Sequence, residues 1–201
     1  MPRLPVSPDA KLSVEPRVAT PCCATPSVHK LKYPSFHPSL ADAKSKNQTQ
    51  FISMQNFHNA IYREEEREMI PTCNLFGVGC IPWSPLARGF LTRPVAEQED
   101  STRFKTDPAF KKFVSGASSE EKASEAINQA VEKVAKARGL TMAQVALAWS
   151  LAQPGITAPI VGSTKLSSIT ELVKATHIKL TDEELKSISE PYSPRPIKGH
   201  S

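Results

Sequence analysis

The sequence has few of the features that mark secreted, metal-binding or membrane-spanning proteins. Its 201 residues include only four cysteines, at positions 22, 23, 73 and 80, and no Cys-x-x-Cys pair. A disulfide framework and a zinc site are therefore not predicted. No run of 18 apolar residues occurs, so we expect no membrane-spanning helix and no membrane partner. The N-terminus has no apolar signal-peptide core, and we expect a cytoplasmic protein in which Cys73 and Cys80 are buried free thiols.

A basic surface is also lacking over most of the chain. The net charge is +5, but residues 1–50 hold 7 Lys and Arg against 3 Asp and Glu, whereas residues 51–201 hold 18 against 17. A nucleic-acid-binding domain needs a basic face on its folded part. We therefore expect no nucleic-acid partner.

Residues 1–50 have no glycine and no lasting hydrophobic period, and they contain eight prolines. Prolines interrupt helices and strands, and such a segment buries too little apolar area to offset its ordering entropy. We expect residues 1–50 to be a disordered, Pro-rich leader that is not native to the fold, and residues 51–201 to form the domain. An organelle transit peptide is the alternative, but it would need an amphipathic helix that the prolines disfavour.

From residue 51 onward, predicted strands alternate with helices. Strands are expected at 51–55, 78–83 and 157–164, and a helix at 64–77 that Pro71 kinks or delays, with its glutamates on the solvent side. Later helices begin at three capping boxes, Ser118/Glu121, Thr141/Gln144 and Thr181/Glu184, and another helical segment covers 167–177. A long loop is expected at 91–117. Alternation of this kind predicts an α/β fold with parallel strands and helical crossovers.

The residues at the three strand ends indicate binding rather than acid–base or metal chemistry. The first strand ends at Gln55-Asn56, the second in Trp-Ser-Pro-Leu-Ala-Arg-Gly (83–89), and the third in Gly-Ser-Thr-Lys (162–165). No carboxylate pair, metal cluster or Ser-His-Asp set accompanies them. An amide, a flat ring, hydroxyls and two cations suit a flat, polar, anionic ligand, and a phosphate would suit the helix start at Lys165. Trp83 as a core aromatic, and Arg88 and Lys165 as solvated charges, are the structural alternatives.

Three motifs carry a family resemblance. In order, "SMQNFHN", "PWSPLARG" and "PIVGSTKLSSITEL" resemble the later half of aldo-keto reductases, above all the fungal aryl-alcohol-dehydrogenase-like branch, which is also similar to potassium-channel β subunits. The resemblance covers residues 51–201. It implies a partial TIM (β/α)₈ barrel comprising about the last three βα units, an NADPH cofactor, and aldehydes or ketones as small-molecule carbonyl substrates.

The resemblance also implies cofactor-binding roles at ten positions. Gln55 resembles the glutamine that holds the nicotinamide carboxamide, and Trp83 the aromatic ring that stacks on the nicotinamide. Ser84, Leu86 and Arg88 resemble positions along the pyrophosphate. Four residues resemble the family's positions around the adenosine 2′-phosphate: Ser163, Thr164, Lys165 and Ser168. Glu171 matches a position near the adenine, whereas Leu172 stands where many members have Asn.

No catalytic residue is assigned. The family's chemistry needs a tyrosine acid assisted by lysine, aspartate and histidine from the first half of the barrel, and residues 1–50 have no matching motif. We therefore expect a truncated form without activity on its own. The alternatives are a non-catalytic nucleotide-binding protein and a regulatory protein that docks on intact barrels. Open sheet edges make self-association possible.

Overall fold

Two short parallel strands joined by a helix form the sheet of the described structure. The computed structural model describes residues 33–101, 105–107 and 118–197, and of residues 33–37 only the backbone. The strands are β1 (Ser53–Met54) and β2 (Gly79–Cys80). The helices are α1 (Tyr33–Ser45), α2 (Met69–Phe76), α3 (Ser119–Arg138), α4 (Met142–Ala152), α5 (Leu166–Lys174) and α6 (Asp182–Ser189), with short 3₁₀-helices at Glu64–Glu66, Ala87–Thr92, Val95–Glu97 and Ala175–His177.

The β1–α2–β2 unit lies where the sequence predicted it, but its strands are shorter than those expected at 51–55 and 78–83. The strands pair in parallel with Ser53 opposite Gly79 and Met54 opposite Cys80. Helix α2 starts at Met69 instead of Glu64, and Pro71 lies in its first turn. Backbone N–H groups in the first turn make no hydrogen bond within the helix, so the N–H that proline lacks is not needed there. Of the two expected effects of Pro71, the later start is the one observed. Gly77 ends the helix with φ of 68°, a left-handed conformation that glycine adopts without strain.

The third predicted strand is only partly formed. Two isolated parallel bridges, Cys80 with Ile156 and Trp83 with Ile160, place this segment beside the second strand. Between them the N–H groups of Thr157 and Ala158 both donate to the Cys80 carbonyl, at 2.8 and 3.3 Å. The next residue is a proline without an N–H. The doubled contact and Pro159 interrupt the regular ladder, so the expectation of one continuous strand over 157–164 is wrong.

Helices α3, α4 and α6 begin where the capping boxes predicted. Ser118, Thr141 and Thr181 cap them, each paired with the side chain three residues on. Ile127 and Val131 of α3 meet Val145 and Trp149 of α4 in the main hydrophobic core. Helix α5 and the 3₁₀-helix Ala175–His177 together cover the helical segment expected at 167–177.

Helix α1 corrects the expectation of a structureless leader over its last part. Tyr33–Ser45 is helical despite Pro38 in its interior. Leu40 is 1% exposed and packs with Met54, Met69 and Cys73. Because this contact buries an apolar side chain in the core, it offsets part of the cost of an interior proline. Residues 1–32 lie outside the described part of the chain.

Other expectations can be compared with the described residues. Cys73 and Cys80 are buried free thiols, as predicted. In the predicted loop at 91–117, the 3₁₀-helix Val95–Glu97 is described, and residues 102–104 and 108–117 are outside the described part. No described helix combines the length and the apolar character needed to cross a bilayer.

Candidate functional site

The three predicted strand ends lie side by side. Trp83 forms parallel bridges with Phe57 on one side and with Ile160 on the other. Its backbone N–H donates to the Asn56 carbonyl at 2.8 Å, and the Ile160 N–H donates to the Pro82 carbonyl at 2.7 Å. Strand pairing therefore brings the residue after Gln55, the Trp83 turn and the segment leading to Ser163 to one edge.

At the first strand end, Gln55 is half-buried and Asn56 is 6% exposed. The Asn56 amide donates from Nδ2 to Glu65 Oε2 at 2.9 Å, and its Oδ1 accepts from the Cys80 thiol at 3.4 Å. This anchors the backbone directly after Gln55. The thiol hydrogen bond with Cys73, together with burial, raises the pKa of Cys80, so this thiol remains protonated and is unsuited to nucleophilic catalysis.

Trp83 lies in an aromatic stack. Its ring centroid is 4.3 Å from that of Phe57 with the ring planes 24° apart, and Phe57 stacks in turn on Tyr62 at 4.6 Å. Trp83 is half-buried at the margin of the main core. Trp83 thus contributes to packing and also stands at a strand end, and its contact with a nicotinamide stays a prediction.

The turn after Trp83 holds three side-chain-bearing residues in left-handed conformations. Ser84, Ala87 and Arg88 have φ of 54°, 49° and 58°. Each such residue costs on the order of 1 kcal/mol, and strain of this kind concentrates at functional sites. Leu86 is half-buried against two hydrophobic clusters. Arg88 forms an ion pair with Asp107 at 2.9 Å, so an anion at this turn would compete with Asp107.

The third strand end leads into helix α5. Lys165 is its N-cap, and its backbone N–H donates to Ser163 Oγ at 3.1 Å. Ser163, Thr164 and Lys165 are all exposed, and Ser168 is half-buried one turn into the helix. A lysine and hydroxyls beside free helical N–H groups suit a phosphate.

The predicted adenine end fits less well. A carboxylate oxygen of Glu171 accepts from the Thr141 hydroxyl, and its carbonyl accepts from Gln144 Nε2 at 3.2 Å. Leu172 is 4% exposed and packs with Leu147 and Ala175. Glu171 therefore links α5 to α4, and Leu172 belongs to the core. The donor set fits the nicotinamide and phosphate parts of NADPH better than the adenine.

Neither of the two tyrosines whose side chains are described, Tyr62 and Tyr192, is suited to donate a proton to a carbonyl. Burial and a hydrogen bond to Glu64 raise the pKa of Tyr192, because both favour the neutral phenol. A tyrosine acid needs the opposite shift to work near neutral pH. Tyr62 is 0% exposed within the aromatic stack. No described cluster of three or more His, Cys, Asp and Glu could hold a metal ion.

The sequence did not indicate a polar network that joins the chain after β1 to the C-terminal segment. Glu64, expected on the solvent side of a helix, is 5% exposed. Its Oε1 accepts from the Tyr192 hydroxyl at 2.5 Å and from the Arg195 backbone N–H at 2.7 Å. The Arg195 guanidinium donates to the Glu120 carbonyl at 2.6 Å. Nothing in the acidic run indicates that Glu64 is buried, because Tyr192 and Arg195 lie 128 and 131 residues further along the chain.

A cavity of about 380 Å³ lies beside this network, lined by Arg63, Glu64, Glu66, Arg67, Ser189, Tyr192 and Pro194. Its charges already pair with each other, Arg63 with Glu66 at 2.7 Å and Arg67 with Glu64 at 2.8 Å. His58, which we expected to be structural, is fully buried with Nε2 2.8 Å from Glu66. We therefore regard this cluster as structural.

Comparison with known proteins gives one family. The pattern of the Aldo/keto reductase family matches residues 35–192. A Schizosaccharomyces pombe protein provisionally named an aryl-alcohol dehydrogenase is 48% identical over 149 residues, covering 74% of this chain and 40% of its own length. A second provisionally named aryl-alcohol dehydrogenase from the same organism is 43% identical, covering 84% of this chain and 50% of its own length. Versiconal hemiacetal acetate reductase from Aspergillus parasiticus is 49% identical, covering 73% and 42%. The chain thus spans 40–50% of the length of these relatives.

Proposed function

The chain belongs to the aldo/keto reductase family, and on this premise we propose that residues 51–197 form the NADPH-binding side of an oxidoreductase that reduces aldehydes or ketones to alcohols. The family implies a TIM-barrel-like α/β fold, in which sites lie at the C-terminal ends of the strands. We propose that these residues correspond to about the last three βα units of such a barrel. Because the chain spans 40–50% of its relatives, reduction itself is proposed only for an assembly that supplies the remaining units.

The observation that carries the proposal is the adjacency of the three strand ends. Trp83 bridges to Phe57 and to Ile160, so an amide, a flat ring and a phosphate-suited helix start line one edge in that order. This order matches the chemistry of a dinucleotide, with a flat amide-bearing ring at one end and phosphates further along. NADPH would supply a hydride when bound.

Each residue would have a separate binding task. Gln55 would hold the nicotinamide carboxamide by its side-chain amide, and Trp83 would lie against the nicotinamide ring. Ser84, Leu86 and Arg88 would follow the pyrophosphate. The 2′-phosphate would lie at Ser163, Thr164, Lys165 and Ser168, with Glu171 near the adenine.

A non-catalytic nucleotide-binding protein derived from this fold is the second candidate. It applies to the chain alone, because the chain spans only 40–50% of the length of its relatives. We accordingly expect the purified chain to oxidise no NADPH when an aromatic aldehyde is added. Aldehyde-dependent oxidation well above the buffer rate would contradict this expectation, and NADPH binding without turnover would agree with it.

The test is to co-express this chain with a second chain that contains the first five βα units of the Schizosaccharomyces pombe relative that is 48% identical. We expect a soluble complex, because parallel strands with open edges gain pairing partners. We expect the chain alone to self-associate through such edges, which size-exclusion chromatography measures. The complex should bind NADPH more tightly than NADH in equilibrium titrations.

Lys165→Glu should remove most of that preference. A charge-assisted contact to the 2′-phosphate contributes roughly 1.5–3 kcal/mol, or about ten- to a hundredfold in affinity. Lys174→Glu, at the other end of α5, carries the same charge change and should leave the preference intact. Trp83→Ala should weaken both cofactors alike. An unchanged NADPH/NADH ratio in Lys165→Glu would show that this strand end is not the 2′-phosphate site.

A further inference from the structure

The ring of Trp83 is supported by a column of two further aromatic rings. Phe57 is its bridge partner on the neighbouring strand end, so both side chains lie on the same side of the ladder. The Phe57 ring lies 4.3 Å from Trp83 and 4.6 Å from Tyr62, with interplanar angles of 24° and 30°. Tyr62 is 0% and Phe57 8% exposed. The column therefore runs from the fully buried core to the half-buried Trp83.

A tight turn folds Tyr62 back onto Phe57. Asn59 and Tyr62 exchange both backbone hydrogen bonds, at 3.1 and 3.0 Å. The Asn59 side chain closes the turn by accepting from the Ile61 N–H through Oδ1 at 3.1 Å. An asparagine that bonds to the backbone two residues on is a common way to fix such a turn. The order of rings in the column is thus set by the segment 57–62.

The same asparagine also holds the turn that follows Trp83. Its Nδ2 donates to the Ser84 carbonyl at 3.1 Å, and Ser84 has φ of 54°. Asn59 is 0% exposed, so its side-chain amide would stay buried without a partner if this hydrogen bond were lost, which is costly. One buried amide therefore connects the aromatic column to the strained turn.

We infer that Phe57, Asn59 and Tyr62 are positioning residues for the cofactor. Phe57 and Tyr62 set the ring plane of Trp83, and Asn59 fixes Ser84 relative to that plane. The inference rests on the proposed function, because it assumes that Trp83 and Ser84 contact NADPH. It assigns a role to the segment 57–62, which the sequence motifs left without one.

The test uses the full chain, alone and in the co-expressed complex, with 5-fluorotryptophan incorporated. Trp83 and Trp149 are the only tryptophans, so each sample gives two fluorine resonances from this chain when the partner chain is unlabelled, and Trp83→Phe assigns them. Phe57→Leu removes the stacked ring, whereas Phe57→Tyr keeps it. Asn59→Asp keeps the Oδ1 acceptor for Ile61 but puts a second acceptor against the Ser84 carbonyl.

We expect Phe57→Leu to shift and broaden the Trp83 resonance while the Trp149 resonance stays in place, and Phe57→Tyr to restore it. In the complex, Phe57→Leu should weaken NADPH roughly two- to tenfold, the range of a stacked aromatic pair, and leave the NADPH/NADH ratio unchanged. Asn59→Asp should weaken both cofactors with only a small change at Trp83. Phe57→Tyr should bind like the parent.

The outcomes separate the two claims. If Phe57→Leu leaves both the Trp83 resonance and the NADPH affinity unchanged, the positioning role is overturned while the proposed function stands. If NADPH binds but does not perturb the Trp83 resonance of the parent complex, the positioning role is also overturned. If the parent complex binds no NADPH at millimolar concentration, the proposed function fails, and the positioning role fails with it. Equal shifts of Trp83 and Trp149 would indicate general unfolding and overturn the specific role.

Discussion

At the scale of single residues, Glu66 shows how the fold changes the chemistry of a side chain that looks solvated in the sequence. Burial opposes its ionisation, but hydrogen bonds from His58 and Arg63 and the charge of Arg63 outweigh burial and lower the pKa of Glu66 to about 2. Arg63 donates to both carboxylate oxygens, at 2.8 and 2.7 Å. A fork of this kind is a strong charge-assisted pair.

The Glu66 pair should make stability depend on acid pH. A carboxyl with a folded-state pKa lowered from 4.5 to about 2 contributes stability that is fully present above pH 4.5 and is lost as the pH falls towards 2. Glu66→Gln should therefore lower the free energy of unfolding at pH 7 by about 1–2 kcal/mol. The difference from the parent should shrink steadily between pH 4.5 and 2, which urea unfolding at several pH values measures.

The exposed Glu99 provides the control for this experiment. Glu99→Gln removes the same charge without a buried partner, so its effect at pH 7 should stay within about 0.5 kcal/mol. A Glu66→Gln deficit that is equally large at pH 2.5 and at pH 7 would contradict the assigned pair.

At the scale of elements, Thr141 combines a helix cap with a contact between helices. Its hydroxyl accepts from the Gln144 N–H at 3.2 Å and donates to the Glu171 carboxylate. The cap starts α4, and the second bond holds α5 against it. The capping box was predicted from local spacing, whereas the bond to Glu171 depends on a residue 30 positions away.

Removing the Thr141 hydroxyl should destabilise the fold by more than the loss of a helix N-cap alone. An N-cap contributes about 1 kcal/mol, and the lost partner of Glu171 adds to this, so we expect Thr141→Ala to cost roughly 1–2 kcal/mol by thermal or urea unfolding. Thr141→Ser keeps both hydrogen bonds and should remain within about 0.5 kcal/mol of the parent. Equal losses in the two variants would show that the methyl group matters rather than the hydroxyl.

At the scale of the whole molecule, α1 extends the folded unit upstream of the expected boundary at residue 51. The family match begins at residue 35, and Leu40 packs into the cluster formed by Met54, Met69, Cys73 and Val78. This cluster lies in the β1–α2–β2 unit. Helix α1 therefore packs against the elements that carry the first two strand ends.

Leu40→Ala tests whether α1 belongs to the fold. Truncating a buried leucine costs roughly 2–4 kcal/mol, and we expect a loss of this size in urea unfolding, with faster tryptic cleavage after Lys44. Leu75→Ala on α2 is the matched control, because Leu75 is 79% exposed and its loss should change stability by less than about 0.5 kcal/mol. If both variants equal the parent, α1 is dispensable for folding.

The sequence by itself determined three helix starts and the family. A capping box, which spans four consecutive residues, marks where a helix starts. The apolar period places Ile127 and Val131 in the core. Three short motifs at strand ends carry the family resemblance. These signals are readable because they depend on neighbours along the chain. The family membership was confirmed by comparison, and the cofactor roles of individual residues stay predictions.

Only the tertiary structure decided which side chains support those strand ends. Glu64 and Arg195 are 131 residues apart, Asn59 and Ser84 are 25 apart, and no spacing along the chain announces either hydrogen bond. The helix at Tyr33–Ser45 was missed because the expectation considered only the free-energy cost of a proline inside a helix. Burial of Leu40 against residues that are distant in the sequence offsets part of that cost. Local hydrogen bonds and hydrophobic periodicity can be predicted from neighbouring residues in the sequence. Which side chains are buried, and which distant residues they bond to, depends on the segments that the fold brings into contact.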